Sequence, residues 1–186
     1  MSDNRVECFI ESAKRVGAEV EKAQSLEDAV QYIARKARGI TLVPATPLAI
    51  KNELKALLLN SGVEVLDKQF RDGGQFPGAG VTFSNFAMAD TGTVVLESTD
   101  ENIRLATTLP EKHFVIVDPA KILADNLAAA APMTALHQGN APKFVAYITG
   151  PSRTADIERV LTIGCHGPRE LHILLVENIS SDLLEN

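Results

Sequence analysis

The stretch HFVIVDPAKILADNLAAA, residues 113–130, shows the pattern on which this chain is built. Residues 113–117 form an apolar run that predicts a β-strand, and Asp118 and Pro119 end it. Residues 120–130, rich in alanine and leucine, predict a helix directly after the strand. The same alternation recurs elsewhere along the chain. Further strands are predicted at 40–43, 63–66, 93–96, 143–149 and 171–176, and further helices at 47–60 and 154–163.

Strands that alternate with helices predict an α/β fold, with a mostly parallel sheet that helices cover on both faces. Residues 80–97 leave no room for a helix of ordinary length between their strands, so we expect a small antiparallel insertion there. Residues 1–38 carry apolar side chains at helical spacing and contain no proline, which predicts N-terminal helices. The sequence is thus divided into an N-terminal helical segment (1–38), an α/β domain (39–177) and a polar tail (178–186) that we expect to be frayed.

Composition excludes several classes of protein. The net charge of −6, with 24 acidic residues against 18 scattered basic ones, does not suit a protein that coats nucleic acid, although one loop could still bind a small anion. Two cysteines, Cys8 and Cys165, are too few for a disulfide framework or for a four-thiolate iron–sulfur cluster within this chain. The sequence has no apolar run near the length of about 20 residues that spans a membrane, and its first residues lack the apolar centre of a signal peptide. We therefore expect a cytoplasmic location.

The segment YITGPSRTADIE, residues 147–158, is the first candidate site. It is predicted to run from a strand through a tight turn into a helix, the position at which α/β sheets place ligands. Backbone N–H groups at such a turn attract anions, and Ser152, Arg153 and Thr154 add three side-chain donors. The alternative is structural, with Thr154 capping the helix and Asp156 complementing its dipole.

The segment ADTGT, residues 89–93, is the second candidate site. Gly92 suits a turn that needs a positive φ, and it lets a ligand approach the backbone closely. Asp90, Thr91 and Thr93 surround it with one carboxylate and two hydroxyl groups. A purely structural turn, in which Asp90 bonds to its own backbone, is the alternative.

The segment GCHGP, residues 164–168, is the third candidate. His166 follows the predicted helix and could act as an acid or a base near neutral pH. Alternatively, it bonds to the last carbonyl groups of that helix and stabilises its end. The other histidines do not have the spacing of metal ligands, so the sequence predicts no metal site.

Three stretches together resemble the LUD-domain family, of the lactate utilisation protein C type. They are GVTFSNFAMADTGTVVLES (80–98), IRLATTLPEKHFVIV (103–117) and YITGPSRTADIERVLTIGCHGPRELHILLVE (147–177). The resemblance runs from about Gly39 to Glu177 and implies the NagB/RpiA/CoA-transferase-like α/β fold. The family pattern falls on a set of residues that we take as candidate ligand-binding positions. They are Asp90, Thr91, Gly92, Thr93, Gly150, Ser152, Arg153, Thr154 and His166.

The resemblance further implies a role in a pathway that oxidises L-lactate to pyruvate, as a subunit beside partner subunits that carry iron–sulfur clusters. Three hypotheses stay open: an accessory subunit of such a complex, a small-molecule enzyme or binding domain that recognises a phosphate or carboxylate, and a structural role for all three motifs. The second requires that the bend at Asp90–Thr93 and the bend at Ser152–Thr154 share a cavity. We expect neither nucleic acid nor a membrane as partner, and the chain could form a homo-oligomer. The residues identify neither a cofactor nor a catalytic group.

Overall fold

The computed structural model describes residues 2–71, 76–138, 141–154, 162–163 and 167–186. Its helices are α1 (Ser2–Arg15), α2 (Leu26–Lys36), α3 (Pro47–Lys51), α4 (Leu54–Asn60), α5 (Glu101–Thr108) and α6 (Asn126–Leu136), with a short 3-10 helix at Pro119–Lys121. Its strands are β1 (Glu19–Ala23), β2 (Thr41–Leu42), β3 (Val65–Leu66), β4 (Ala79–Phe83), β5 (Phe86–Met88), β6 (Thr93–Glu97), β7 (Lys112–Val117), β8 (Ile122–Leu123), β9 (Val145–Ile148), β10 (Arg153–Thr154), β11 (Thr162–Ile163) and β12 (Glu170–Val176). Among the residues described, none of the helices has both the length and the apolar character that a membrane crossing requires.

Six strands form the main sheet, in the order β1-β12-β7-β4-β2-β3, and each neighbouring pair is parallel. The central strands β4, β7 and β12 are buried along nearly their whole length, as expected of parallel strands that are covered on both faces. Because the strands are parallel, their last residues lie along one side of the sheet, called here the carboxyl edge, and their first residues along the opposite amino edge. The predicted fold class is confirmed.

A second sheet, in the order β8-β5-β6-β9, packs over one face of the first. Strand β6 is antiparallel to both β5 and β9, which confirms the predicted antiparallel insertion. Only Ser84 and Asn85 separate β4 from β5, so the chain turns back at the carboxyl edge and enters the second sheet directly.

Apolar layers hold the two sheets and the helices together. Between the sheets, Val115 of β7 and Val94 of β6 pack with Phe9 and Ala13 of α1. On the other face of the main sheet, α2 and α4 cover Phe114 of β7. Helix α2 contributes a buried stripe at helical spacing: Leu26, Ala29, Val30 and Ile33. Helix α6 covers the outer face of the second sheet.

The first 38 residues are not helical throughout, which corrects the expectation from the sequence. Residues Glu19–Ala23 form β1, which pairs in parallel with β12 from Glu19 opposite His172 to Ala23 opposite Val176. Strand β1 lies at an edge of the sheet and its side chains are largely exposed. It therefore lacks the apolar run by which a buried strand is predicted.

Two predicted helices have different bounds in the structure. The helix expected over 47–60 is divided into α3 and α4 at Glu53, whose φ is 50°. The helix expected over 120–130 begins only at Asn126, because the carboxylate of Asp125 accepts a hydrogen bond from the backbone N–H of Ala128 at 2.8 Å and caps it there.

The helix predicted over 154–163 is wrong at both of its described ends. Arg153–Thr154 and Thr162–Ile163 form the antiparallel pair of β10 and β11. The β-branched residues at both ends favour extended backbone. Residues 155–161, with Asp156, and residues 164–166, with His166, lie outside the described part of the chain.

The polar tail is held by hydrogen bonds, which corrects the expectation that it is frayed. The backbone N–H groups of Ile179 and Ser180 donate to Oδ2 of Asp118 at 2.8 and 3.1 Å. Farther along, Lys121 Nζ donates to the backbone carbonyl of Glu185 at 2.7 Å. Polar groups buried at the carboxyl edge need hydrogen-bond partners, and the tail supplies them.

Candidate functional site

The two candidate bends lie side by side at one end of the second sheet. The first bend, Asp90–Thr93, joins β5 to β6. The second, predicted at Ser152–Thr154, begins earlier in the structure: the chain bends from Gly150, after β9, to Arg153, where β10 starts, and this segment is called the second bend below. Strands β6 and β9 are antiparallel neighbours, with Val94 opposite Ile148. This pairing places Thr93 beside Thr149, so the ladder itself brings the bends together.

A chain of three hydroxyl groups connects the bends. Thr93 Oγ1 donates to Thr91 Oγ1 at 2.8 Å, and Thr149 Oγ1 lies 2.8 Å from Thr93 Oγ1. Since the only proton of the Thr93 hydroxyl is given to Thr91, Thr149 must be the donor to Thr93. The proton of Thr149 is thus directed toward the first bend, and the lone pairs of its oxygen face elsewhere.

Glycines allow both bends to pack closely against the C-terminal end of α1. Gly92 has a φ of +67°, and a Cβ atom built on it would lie 2.3 Å from the backbone nitrogen of Ala13. Gly150 has a φ of +73°, and its Cβ atom would lie 2.3 Å from the carbonyl oxygen of Val16. Only glycine allows both the left-handed conformation and such a close approach of two backbones.

Arg153 contacts the protein rather than an open site. Its Nη2 donates to the backbone carbonyl of Val16, beyond the last residue of α1. A cation at this position complements the negative end of the helix dipole and satisfies one of its last carbonyl groups. The contact fastens the second bend to α1.

A cavity of about 260 Å³ lies beside the second bend, at the amino edge of the main sheet. Thr149, Gly150 and Ser152 line one side of it, and Thr107 and Thr108 at the end of α5 line another. The residues of the first bend are not among its described lining residues, and neither is Arg153. The two bends are therefore neighbours, but the cavity borders only the second, so among the described residues the expected cavity shared by both bends is not found.

The third motif meets the second bend at the cavity. The backbone N–H of Ser152 donates to the carbonyl of Pro168 at 2.9 Å. A Cβ atom on Gly167 would lie 3.1 Å from the Cβ of Ser152, so the two segments pack closely. His166 and the side chain of Thr154 lie outside the described residues.

His113 also lines the cavity, and no sequence motif indicated it. Its side chain is 1% exposed, and its Nε2 lies 2.9 Å from the hydroxyl of Thr82. Within the described part of the chain, its Nδ1 has no hydrogen-bond partner. Burial, with a smaller contribution from the nearby charge of His172, lowers the pKa of His113 to about 3, so the ring is neutral at physiological pH. A lone histidine has no sequence signature, because Thr82 becomes its neighbour only through the pairing of β4 with β7.

A second polar cluster lies at the amino edge, on the opposite face of the main sheet. Tyr32 Oη lies 3.0 Å from His172 Nδ1 and donates to Glu19 at 3.1 Å, while Glu170 lies 2.9 Å from His172 Nε2. The ring of Phe114 stacks on His172, with 4.6 Å between centroids. Burial lowers the pKa of His172, although Glu170 and Glu19 oppose this effect.

The three metal-binding side chains of this cluster, Glu19, Glu170 and His172, are close enough together to hold an ion. Lys36 and Lys112 nevertheless form ion pairs with the two carboxylates, each at 3.0 Å. Burial alone would raise the pKa of Glu170, but hydrogen bonds from Lys112 and His172 outweigh it and hold the pKa below its usual value. The cluster is thus balanced by its own lysines, which favours a structural ion-pair network.

Comparison with known proteins gives the relatives of this chain. It is 32% identical to lactate utilization protein C of Geobacillus thermodenitrificans over an alignment of 158 residues. That alignment covers 78% of this chain and 66% of the relative. It is 30% identical to lactate utilization protein C of Bacillus subtilis over an alignment of 161 residues, which covers 80% of this chain and 67% of the relative. The chain thus spans about two thirds of the length of these relatives.

A solved structure shares the fold. The crystal structure of a DUF162 family protein from Deinococcus radiodurans superposes with a TM-score of 0.65 over 95% of this chain and 98% of that one, at 19% identity. The sequence model of the LUD domain matches residues 6–176, a range that includes both bends and the cavity. The chain belongs to the LUD domain family.

Proposed function

We propose that this chain acts in L-lactate utilisation, as an accessory subunit without an iron–sulfur cluster of its own. The observation that carries the proposal is the similarity to proteins named lactate utilization protein C, at 30–32% identity over 78–80% of the chain. The match to the LUD domain over residues 6–176 supports it, because the shared region includes the bends on which the family pattern falls.

The accessory role rests on electron balance. Oxidation of L-lactate to pyruvate releases two electrons and two protons, and the electrons need an acceptor. An iron–sulfur cluster is usually held by four cysteine thiolates, whereas this chain has only Cys8 and Cys165. We therefore assign the acceptor to partner subunits that carry clusters, with this chain positioning or stabilising them.

Growth and copurification test this proposal. In the organism of origin, deletion of the gene should prevent or strongly slow growth on L-lactate as carbon source, and a plasmid copy should restore it. Growth on pyruvate is the control and should not change, since pyruvate enters after the proposed step. An affinity-tagged chain should retain iron-containing subunits from lactate-grown cells. Normal growth of the deletion strain on L-lactate would contradict the proposal.

A second candidate function, the binding of a small molecule, is favoured by the cavity beside the second bend. The hydroxyls of Thr107 and Thr108 donate to the carbonyl of Arg104 at 2.9 and 2.7 Å, and that of Thr149 donates to Thr93. Their oxygens therefore keep lone pairs for a donor on a ligand. No lysine or arginine is among the described lining residues, so among these residues nothing would pair with a carboxylate, and the threonine oxygens select between two such acids by the hydroxyl group that only one of them carries.

Calorimetry with L-lactate and pyruvate separates this candidate from a structural cavity, because only L-lactate carries the hydroxyl group. L-lactate should bind more tightly than pyruvate, and Thr108→Val should weaken its binding by roughly tenfold through loss of one hydrogen bond. Thr134→Val is the matched control, since Thr134 also donates to a carbonyl four residues earlier, at 2.9 Å, but lies on α6 away from the cavity. Equal binding of the two acids, or an equal effect of the two variants, would reject the candidate.

A further inference from the structure

One ring nitrogen of His113, a residue that lines the cavity at the amino edge, lacks a hydrogen-bond partner. The side chain is 1% exposed, and its Nδ1 atom is buried without a partner within the described part of the chain. Native structures rarely leave a buried polar atom unsatisfied, because the missing hydrogen bond costs about 1–3 kcal/mol. Nδ1 therefore requires a partner that the described residues do not supply.

The contact with Thr82 determines the direction in which Nδ1 points. Strand β7 lies between β4 and β12, and His113 is opposite Gly80 on β4 and Leu171 on β12. Its Nε2 lies 2.9 Å from the hydroxyl of Thr82, so this side of the ring is turned toward β4. The two nitrogens of an imidazole point to nearly opposite sides of the ring. Nδ1 is thus turned toward β12, whose Leu171 also lines the cavity.

The proton count of the pair formed by His113 and Thr82 indicates that Nδ1 is a donor. The ring is neutral at physiological pH, because burial lowers its pKa to about 3, and a neutral imidazole carries a single N–H. If that proton were on Nε2, it would be donated to Thr82, and the hydroxyl proton of Thr82 would have no acceptor among the described contacts. If Thr82 donates to Nε2 instead, its hydroxyl is satisfied and the ring proton lies on Nδ1. The second arrangement leaves one unsatisfied group rather than two.

The threonine hydroxyls of the cavity complement this donor. Those of Thr107 and Thr108 donate to the carbonyl of Arg104, and that of Thr149 donates to Thr93, so all three oxygens keep lone pairs for a ligand. The cavity thus combines threonine acceptors with a histidine donor. A small molecule satisfies both kinds of group when it carries a hydroxyl group and an acceptor oxygen.

We propose that His113 is a specificity-determining residue of this cavity, donating from Nδ1 to an acceptor oxygen of a small hydroxy acid whose hydroxyl group donates to the threonine oxygens. The inference rests on the second candidate function above, the binding of a small molecule in this cavity, and names its ligand class. Because the ring is neutral, the oxygen is held by a hydrogen bond and needs no lysine or arginine among the described lining residues. The buried nitrogen gains the partner that it lacks, and this gain contributes to affinity.

The histidine and the threonines have different effects on the two acids. L-lactate and pyruvate both carry acceptor oxygens, so the hydrogen bond from His113 contributes to the binding of either acid. Only L-lactate carries the hydroxyl group that donates to a threonine. The histidine therefore sets the affinity for such acids in general, and Thr108 sets the preference between these two.

Nitrogen-15 NMR of the full chain with labelled histidines tests the proposal without changing the sequence. At pH 7, His113 should be in its Nδ1–H form, its resonances being assigned by their loss in His113→Gln. Saturating L-lactate should shift the Nδ1 resonance of His113 and leave that of His172, on the opposite face of the sheet, unchanged. An Nε2–H form, or an Nδ1 resonance that stays in place while calorimetry shows bound L-lactate, would overturn the proposal.

Calorimetry on variants gives an independent measurement. His113→Leu should weaken the binding of L-lactate and of pyruvate by the same factor, roughly tenfold, because each acid loses one hydrogen bond. Thr108→Val should weaken the binding of L-lactate alone. His172→Leu is the matched control, since it also removes a buried histidine from the sheet but lies away from the cavity, and it should leave both affinities unchanged.

The outcomes separate this inference from the candidate function on which it rests. If L-lactate binds to the parent and to His113→Leu equally well, or if both histidine variants weaken binding equally, the role of His113 is rejected while the binding function stands. If neither acid binds to the parent, the binding function fails and the inference fails with it. Should His113→Leu not fold, the NMR experiment on the parent decides.

Discussion

Single glycines determine how closely α1 can approach the two bends. Gly92 and Gly62 both have positive φ, +67° and +80°, so alanine at either position meets the same conformational cost of roughly 1–2 kcal/mol. Only at Gly92 would the new Cβ also overlap backbone, 2.3 Å from the nitrogen of Ala13, while Gly62 has no atom within 4 Å. The pair of substitutions therefore separates strain within the turn from overlap with the helix.

We expect Gly62→Ala to lower the free energy of unfolding by about 1 kcal/mol and Gly92→Ala to lower it by about 3 kcal/mol or more, since α1 must move away. Urea denaturation followed by circular dichroism measures both values. Equal losses in the two variants would show that the contact between Gly92 and α1 contributes nothing beyond the turn itself.

The sequence predicted part of the residue-scale picture. The ADTGT motif correctly indicates a positive φ at Gly92, because the turn is local and few residues tolerate that conformation. The hydrogen bond from Arg153 to Val16, in contrast, joins residues that are far apart in the sequence. Val16 is 137 residues away from Arg153, so no local pattern could have indicated the contact. For the same reason, the sequence could suggest Arg153 as an anion ligand but could not place it on the end of a helix.

At the scale of elements, the pairing of β6 with β9 brings the two bends together. The hydrogen bond between the hydroxyls of Thr93 and Thr149 lies at the end of this pairing, so substitutions there measure how much the contact between the bends stabilises it. Thr149→Val removes the hydrogen bond between the two hydroxyls, and Thr93→Val removes that bond and the one from Thr93 to Thr91. We expect each single substitution to cost about 1–2 kcal/mol. The double variant should cost less than the sum of the two by about 1 kcal/mol, since both partners are then removed together.

A double-mutant cycle by chemical denaturation measures this coupling. Thr134→Val combined with Thr93→Val gives the control cycle, because Thr134 lies on α6 and bonds only within its own helix among the described contacts. Additive losses for Thr93 and Thr149 would mean that the hydroxyl contact does not stabilise the ladder.

Elements with a strong apolar pattern were predictable, and elements defined by their partners were not. Strands β7 and β12 follow from continuous apolar runs, since both faces of a central parallel strand are buried. Strand β1 reads EVEKA and becomes a strand through its pairing with β12. The segment around Thr154 has apolar residues at helical spacing, yet its described ends pair as β10 and β11. In both cases a contact distant in sequence overrides the local preference.

At the scale of the whole molecule, two buried ionisable groups lie at opposite edges of the main sheet and give stability a characteristic dependence on pH. At the amino edge, the pKa of His113 is lowered from 6.5 to about 3 by burial. Between these values the unfolded chain binds a proton that the folded chain does not, so stability is lost as the pH falls below 6.5. The slope approaches about 1.4 kcal/mol per pH unit.

Denaturation between pH 6.5 and 4.5 should therefore show a smaller loss of stability in His113→Gln than in the parent, by about 2 kcal/mol. His137→Gln replaces an exposed histidine at the end of α6 and should retain the parent slope. Parallel pH profiles for the parent and His113→Gln would refute a neutral, buried His113.

At the carboxyl edge, Lys121 should make the protein more stable as the pH rises above 8. Burial lowers its pKa from 10.5 to about 8, so between these values the unfolded chain holds a proton that the folded chain has released. The free energy of unfolding should rise by up to about 3 kcal/mol across this window, relative to Lys121→Met. The opposite trend is expected from net charge alone, because a chain with a charge of −6 at pH 7 becomes still more negative and repels itself. Burial and the charge of Glu19 raise the pKa of Tyr32, which acts against the rise in stability above pH 10. This contribution of Tyr32 is the same in both chains and cancels when they are compared.

Lys51→Met controls for the loss of one surface charge. If the parent and Lys121→Met give the same difference in stability at pH 8 and pH 10, Lys121 keeps its proton in the folded chain, and the ammonium group is balanced by anions to a degree that the described contacts do not account for.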